Sequence, residues 1–196
     1  MQKRLCLVSI AAAALAVSCA SPGPVVVDAR PAASVLRAPS GSGWSGPIQD
    51  RNDMEARLLA AHNRERVAAG VPPLTWDPAL AASAAAYGPM LASSGGLDHA
   101  PPHMRVGQGE NLWMGTRGAF TLERMVADWA SEKSMFRPGI FPDVSQTGRW
   151  PDVGHYTQII WPGTTRVGCA IQTSSASDYL ICRYSPPGNV NGQRVP

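Results

Sequence analysis

The sequence predicts an α+β domain on three observations: helical runs with capping residues through its middle, an alternating strand pair near its C-terminus, and two cysteines placed to face each other across that pair. At 196 residues the chain suits one domain of ordinary size, with no second expected. Alanine supplies much of the apolar content, as in helices that pack closely through small side chains, and the many Gly and Pro residues predict long loops.

Residues 1–20 carry Lys3 and Arg4 ahead of LCLVSIAAAALAVS, the basic start and short apolar run of an export signal. Its removal takes two of the 17 basic residues, leaving 15 against 14 acidic ones, a net +1. No basic stripe points to nucleic acid, so no nucleic-acid partner is expected. Cys19, in LAVSCAS, resembles the lipidated cysteine of a bacterial lipoprotein box, which would anchor the protein to the envelope; cleavage after Ala20 would instead release a secreted form. Both outcomes stay open. Residues 21–51, rich in Pro, Ser and Gly, read as a linker, within which Val25 to Val27 could form a strand with nothing nearby to pair.

The folded part is expected at 52–196. Asn52 or Asp53 caps a first helix, with Met54, Leu58 and Ala61 on one face, Arg57 and Arg64 on the other, and Gly70 ending it. Asp77-Pro78 starts an alanine-rich helix that Gly88-Pro89 should kink or finish, and residues 93–104 read as loop. Thr121 caps a third helix with Glu123 in its first turn and a stripe of Leu122, Met125, Val126, Trp129 and Phe136. On that helix either Glu132 or Lys133 turns inward. VGCAIQT and YLICRY then form a hairpin, and placing Cys169 opposite Cys182 sets Gln172 opposite Tyr179. In an exported chain that pair reads as a disulfide, two buried thiols being the alternative.

Four groups are candidates for a site: His99 in GLDHA, Glu110 in GENLW, Glu132 in WASEK and His155 in GHYTQ. Two imidazoles with two carboxylates can hold Zn2+ or another divalent metal, His99 and His155 as ligands and the carboxylates completing or orienting the shell. Each also has a structural reading: a histidine satisfied by carbonyls, a carboxylate closing a turn, a solvated loop imidazole. His62 and His103 read as surface or loop residues. No helical zinc-protease histidine pair, Gly-x-Ser-x-Gly elbow or phosphate-binding Gly-rich loop is present.

GHYTQIIW and YLICRYSPPGN resemble the two signature stretches of the CAP superfamily, which joins cysteine-rich secretory proteins, antigen 5 venom proteins and plant pathogenesis-related proteins of the first class; the Cys19 box suggests a bacterial-type member. HNRERVAAGVPPLTWDPALA and GENLW resemble its first helix and central motif, in order. The resemblance implies an α-β-α sandwich with a small, mostly antiparallel sheet between helical layers, His99, Glu110, Glu132 and His155 lining one cavity, and a hairpin disulfide Cys169–Cys182. The family's other disulfides have no counterpart, so packing must carry more of the stability. The leading functional expectation is a secreted or envelope-anchored module binding a divalent metal and a lipid or sterol-like ligand. Its rivals are a metal-assisted hydrolase, and an interaction module for a cell-envelope or extracellular protein with a purely structural cavity.

Overall fold

A computed structural model describes residues 51–196. The export signal, the Cys19 box, nearly all of the linker and the Val25–Val27 run lie outside the described residues.

Helix α1 spans Arg51–Ala68 and closes as expected on Gly70, whose φ of +71° favours glycine. The Val71 N–H bonds back to the Arg66 carbonyl at 3.0 Å and satisfies the helix end. Helix α2 spans Pro78–Ser94, started by the Asp77 carboxylate, whose Oδ1 accepts from Ala79 N at 2.8 Å and Leu80 N at 3.3 Å. That cap gives a direct expectation: Asp77→Ala lowers unfolding free energy by about 1 kcal/mol, and Asp77→Asn by clearly less. Thermal melts of the two variants check it.

Gly88-Pro89 does not break α2. The helix continues to Ser94 and stops at Gly95, with φ of +69°. Interior proline costs about 3 kcal/mol. Against that, Tyr87 and Leu91 are buried in the last turns, at roughly 1.5–3 kcal/mol for a side chain the size of Leu91. Gly88 is needed here, since a Cβ would come within 3.0 Å of the Gln172 side chain on the strand below.

Helix α3 spans Leu122–Ala130, its start capped by Thr121 Oγ1, which accepts from Arg124 N at 3.2 Å. The expected stripe does not stay α-helical to Phe136. The chain tightens at Ser131–Ser134 into a 3-10 turn, which re-aims the side chains after Ala130. Another such turn, at Trp150–Val153, leads into the short helix α4, Gly154–Ile159.

Four strands form the main sheet: β1 (Thr75–Trp76), β2 (Gly109–Thr116), β4 (Arg166–Thr173) and β5 (Ser177–Ser185), in the order β1-β4-β5-β2. Only β1 and β4 run parallel; the pairs β4–β5 and β5–β2 are antiparallel. Strands β3 (Gly139–Ile140) and β6 (Arg194–Val195) make a separate two-stranded ribbon. The hairpin register matches the sequence expectation, with Cys169 opposite Cys182 and Gln172 opposite Tyr179. Those cysteines form the disulfide, their Cα atoms 4.1 Å apart.

Alternation along β5 sorts the two faces. Leu180, Cys182 and Tyr184 join the core under α1, α3 and α4, whereas Tyr179 and Ile181 pack with Tyr87 and Leu91 of α2. The result is the expected α-β-α sandwich.

Candidate functional site

Glu132 sits in the 3-10 turn after α3, and the tightening of that turn settles which neighbour faces inward. Lys133 is exposed and pairs with Glu65 at 3.2 Å. Glu132 turns toward α4, where its Oε2 accepts from the backbone N–H of His155 (2.9 Å) and of Tyr156 (3.0 Å). Those are donors left open at a helix start, so the carboxylate caps α4 from outside. Its Oε1 lies 2.6 Å from Nδ1 of the His155 ring. With Nδ1–H donating to the carboxylate, Nε2 is the ring's open nitrogen, and it is buried without a hydrogen-bond partner. The ring stacks on Trp129, centroids 6.0 Å apart.

The second pair repeats this arrangement. Nδ1 of His99, in the loop after α2, lies 2.7 Å from Glu110 Oε1, which also accepts from Ala100 N at 2.9 Å. Glu110 stands opposite Arg183 in the β2–β5 register. Arg183 Nη2 is 3.0 Å from Glu110 Oε2, an ion contact whose angles fall outside hydrogen-bond geometry. The Arg183 side chain is fully buried, its guanidinium 5.8 Å from the Tyr87 ring centroid. Burial pushes the Arg183 pKa down, and the Glu110 carboxylate opposes that.

Adjacent residues of the edge strand β2 tie the two pairs together. Glu110 faces the α2 side, and Asn111 faces the other, where its amide donates to the His155 carbonyl (3.1 Å) and to the Tyr184 hydroxyl (3.2 Å). The four sequence candidates therefore form two imidazole–carboxylate pairs, one held at Glu110 and the other on the helix whose His155 carbonyl Asn111 bonds. Among the described residues, the three-residue group whose donor atoms all lie within 4.8 Å of one another is His62, Cys169 and Cys182, and its sulfurs are consumed by the disulfide.

His62 departs from its expected surface position: it is fully buried, its Nδ1 2.8 Å from the Leu58 carbonyl and Nε2 2.8 Å from Tyr184 Oη. His103 is exposed, as expected. Sequence reasoning also passed over Asn111, Tyr184 and the clamp on α4. Thr157 donates to Asn189 Oδ1 (2.7 Å), Asn189 Nδ2 to the Gly154 carbonyl (2.9 Å), and Gly188 N to Gln158 Oε1 (2.9 Å). The Pro-Gly-Asn stretch thus fixes the helix that carries His155. A Cβ at Gly109 would come within 2.1 Å of Gln158 Oε1, so glycine there lets β2 approach α4.

The comparisons agree with this architecture. The profile of the cysteine-rich secretory protein family (CAP) matches residues 59–184, and the chain belongs to that family. It is 39% identical over 136 residues to pathogenesis-related protein 1C of Nicotiana tabacum, covering 69% of this chain and 76% of the relative. Secreted protein RBT4 of Candida albicans is 31% identical over 182 residues, covering 88% of this chain and 47% of that protein. Among solved structures, NaASP2 with Zn2+ superposes with a TM-score of 0.59 at 24% identity, over 76% of this chain and 87% of that one. Among the described residues, no helix is long and apolar enough to cross a membrane.

Proposed function

We propose that this is an exported binding domain whose His99 and His155 hold a divalent metal, zinc first, through their Nε2 atoms, with Glu110 and Glu132 orienting the rings. The observation that carries the reading is the buried, unpartnered Nε2 of His155 on a ring whose Nδ1 is fixed by a carboxylate. A carboxylate behind an imidazole fixes the tautomer and raises the basicity of the far nitrogen, the usual support for a zinc ligand. The donor set fits zinc: two imidazoles from this chain, with the remaining positions open to water or an exogenous ligand. A bound cation would supply Lewis acidity there. The described presence of Zn2+ in the NaASP2 structure supports the same reading.

Export to the cell exterior or envelope is part of the proposal, supported by the residue 1–20 pattern and by the secreted fungal relative. Lipid attachment at Cys19 and a bacterial-type origin rest on the LAVSCAS stretch alone. A lipid or sterol-like ligand and an envelope or extracellular protein partner rest on family membership. The hydrolase alternative has no observation of its own.

Calorimetric zinc titration of the mature protein tests the metal reading. His99→Ala and His155→Ala are each expected to abolish saturable binding, and Glu132→Gln to weaken it by about 10–100-fold. Affinity should fall with acidity, because protons compete for the same nitrogens. A folded parent protein that takes up no zinc would sink the proposal.

A further inference from the structure

A groove of about 440 Å³ lies away from the His/Glu pairs, between the first turns of α1 and α2. Its floor is Cys169, Ala170 and Ile171 of β4. Successive strand side chains point to opposite faces, so three consecutive residues can line one groove only where it runs along the strand's edge. The sheet topology agrees. On that side β4 is paired by the two-residue β1, at Arg166 and Val167, and beyond Val167 no strand pairs with it among the described residues.

The direction of the open groups follows from one bond. Asp77 N donates to the Val167 carbonyl at 2.9 Å, so Val167 aims its polar backbone groups outward. Period-two alternation then aims those of Cys169 and Ile171 the same way, into the groove, while Gly168, Ala170 and Gln172 turn theirs toward β5. At Thr173 the row ends, its carbonyl accepting from Gln172 Nε2 at 3.1 Å. Ala82 and Ala85 of α2 keep the wall low, and Met54 and Glu55 of α1 form the other side.

We propose that this open edge accepts a strand, and that the occupant is the Val25–Val27 stretch of the same chain. Four features support that occupant. Val25–Val27 is the one run of β-branched residues in the linker, and its alternating side chains match an edge flanked by small residues on one side and Met54 on the other. The described chain begins at Arg51, one turn from Met54 and Glu55, so the linker leaves the domain at the groove itself. Residues 28–50, 23 in all, reach up to about 75 Å when extended, ample to double back. Arg30, three residues beyond Val27, supplies a cation for Glu55 at the rim. An exposed edge is otherwise a template for association between chains, and covering it with the chain's own segment removes that hazard. The inference does not depend on the metal reading.

Amide hydrogen exchange, followed residue by residue by NMR on the chain from Ser21 onward, tests it. The Cys169 and Ile171 amides should exchange at least about tenfold more slowly in the parent than in the double variant Val25→Pro, Val26→Pro, which removes a ladder donor in either register. Ala82→Trp, which fills the groove from an exposed helical position, should release the same two amides. The Gly168, Ala170 and Gln172 amides, bonded to β5, should be unchanged and report that the fold is intact. Equal rates at Cys169 and Ile171 in the parent and the double proline variant would overturn the proposal. So would protection that disappears on dilution, which would make the occupant a second copy of the chain.

Discussion

Arg66→Leu is expected to lower unfolding free energy by about 4 kcal/mol, among the largest effects of any single substitution in the domain. Arg66 is fully buried, and its guanidinium is spent on carbonyls: Pro72 O at 2.6 Å, Ile159 O at 2.8 Å, Trp161 O at 2.9 Å and Thr164 O at 2.9 Å. Three of these belong to the end of α4 and the loop after it, so one side chain of α1 gathers the acceptors that a short helix leaves open. Leucine fills similar space and strands three buried acceptors, at Ile159, Trp161 and Thr164, each costing about 1–3 kcal/mol before relaxation, besides the part-buried Pro72 carbonyl. Burial already pushes the Arg66 pKa down to about 10. Lysine starts lower and lacks the planar fork, so Arg66→Lys should recover only about half of the loss. Urea unfolding of the disulfide-intact variants measures both. An Arg66→Leu midpoint close to the parent's would show that the carbonyls find other donors. Because α4 carries His155, the proposed zinc site should also be weakened in the leucine variant.

Much of the scaffold was legible because its signals are local. Asp77-Pro78, Thr121 and Gly70 act within a few residues of themselves, and the hairpin register follows from period-two alternation with a cysteine on each strand. The four candidate residues were singled out through the motifs that hold them, not through spacing. His99 and Glu110 are joined around the edge of β2, and Glu132 meets His155 only because α3 tightens after Ala130. That tightening leaves no mark in the apolar stripe, which is why Glu132 and Lys133 were indistinguishable from sequence.

The buried stripe of α1 was read only in part: Leu58 and Ala61 lie inside as expected and Arg64 outside, but His62 was taken for a surface or loop residue and Arg66 was passed over. Leu58, Ala61, His62 and Arg66 share the inward face at helical spacing, while Val67 is 69% exposed. Apolar periodicity cannot see a stripe that is half polar. The spacing of four from Leu58 to His62 to Arg66 was the available signal. It becomes meaningful once His62 and Arg66 are taken as interior groups with partners. Pro89 misled in the opposite direction: a strong local breaker was overridden by the packing of Tyr87 and Leu91 against the sheet.

His62 makes the domain acid-sensitive in a window set by its own titration. The Leu58 carbonyl can only accept, so Nδ1 carries the proton and Nε2 accepts from the Tyr184 hydroxyl, whose oxygen in turn accepts from Asn111. Every group in that chain has one role, and a second proton on the ring would leave Nε2–H facing a hydroxyl already committed as donor. Burial is the larger cause of the shift, lowering the His62 pKa from 6.5 to about 4, with the nearby Arg66 charge acting the same way. Between those values the unfolded chain holds a proton that the folded one refuses. This contribution to stability is therefore complete above pH 6.5 and is lost as pH falls toward 4, amounting to about 3 kcal/mol at ~1.4 kcal/mol per pH unit. Glu123 acts in a lower window: Arg57 holds its carboxyl down at about 2, so its contribution is present above the ordinary carboxylate range and fades as pH falls toward 2. The two are separable by His62→Gln, whose amide can keep a donor and an acceptor without titrating. Denaturant unfolding from pH 7 to 4 should show the parent losing about 3 kcal/mol more than the glutamine variant, and parallel curves would mean that the ring's proton is not the cause. Since Asn111 also bonds the His155 carbonyl, acid release of His62 should loosen α4 before the domain unfolds, seen as faster exchange of the α4 amides in the parent alone.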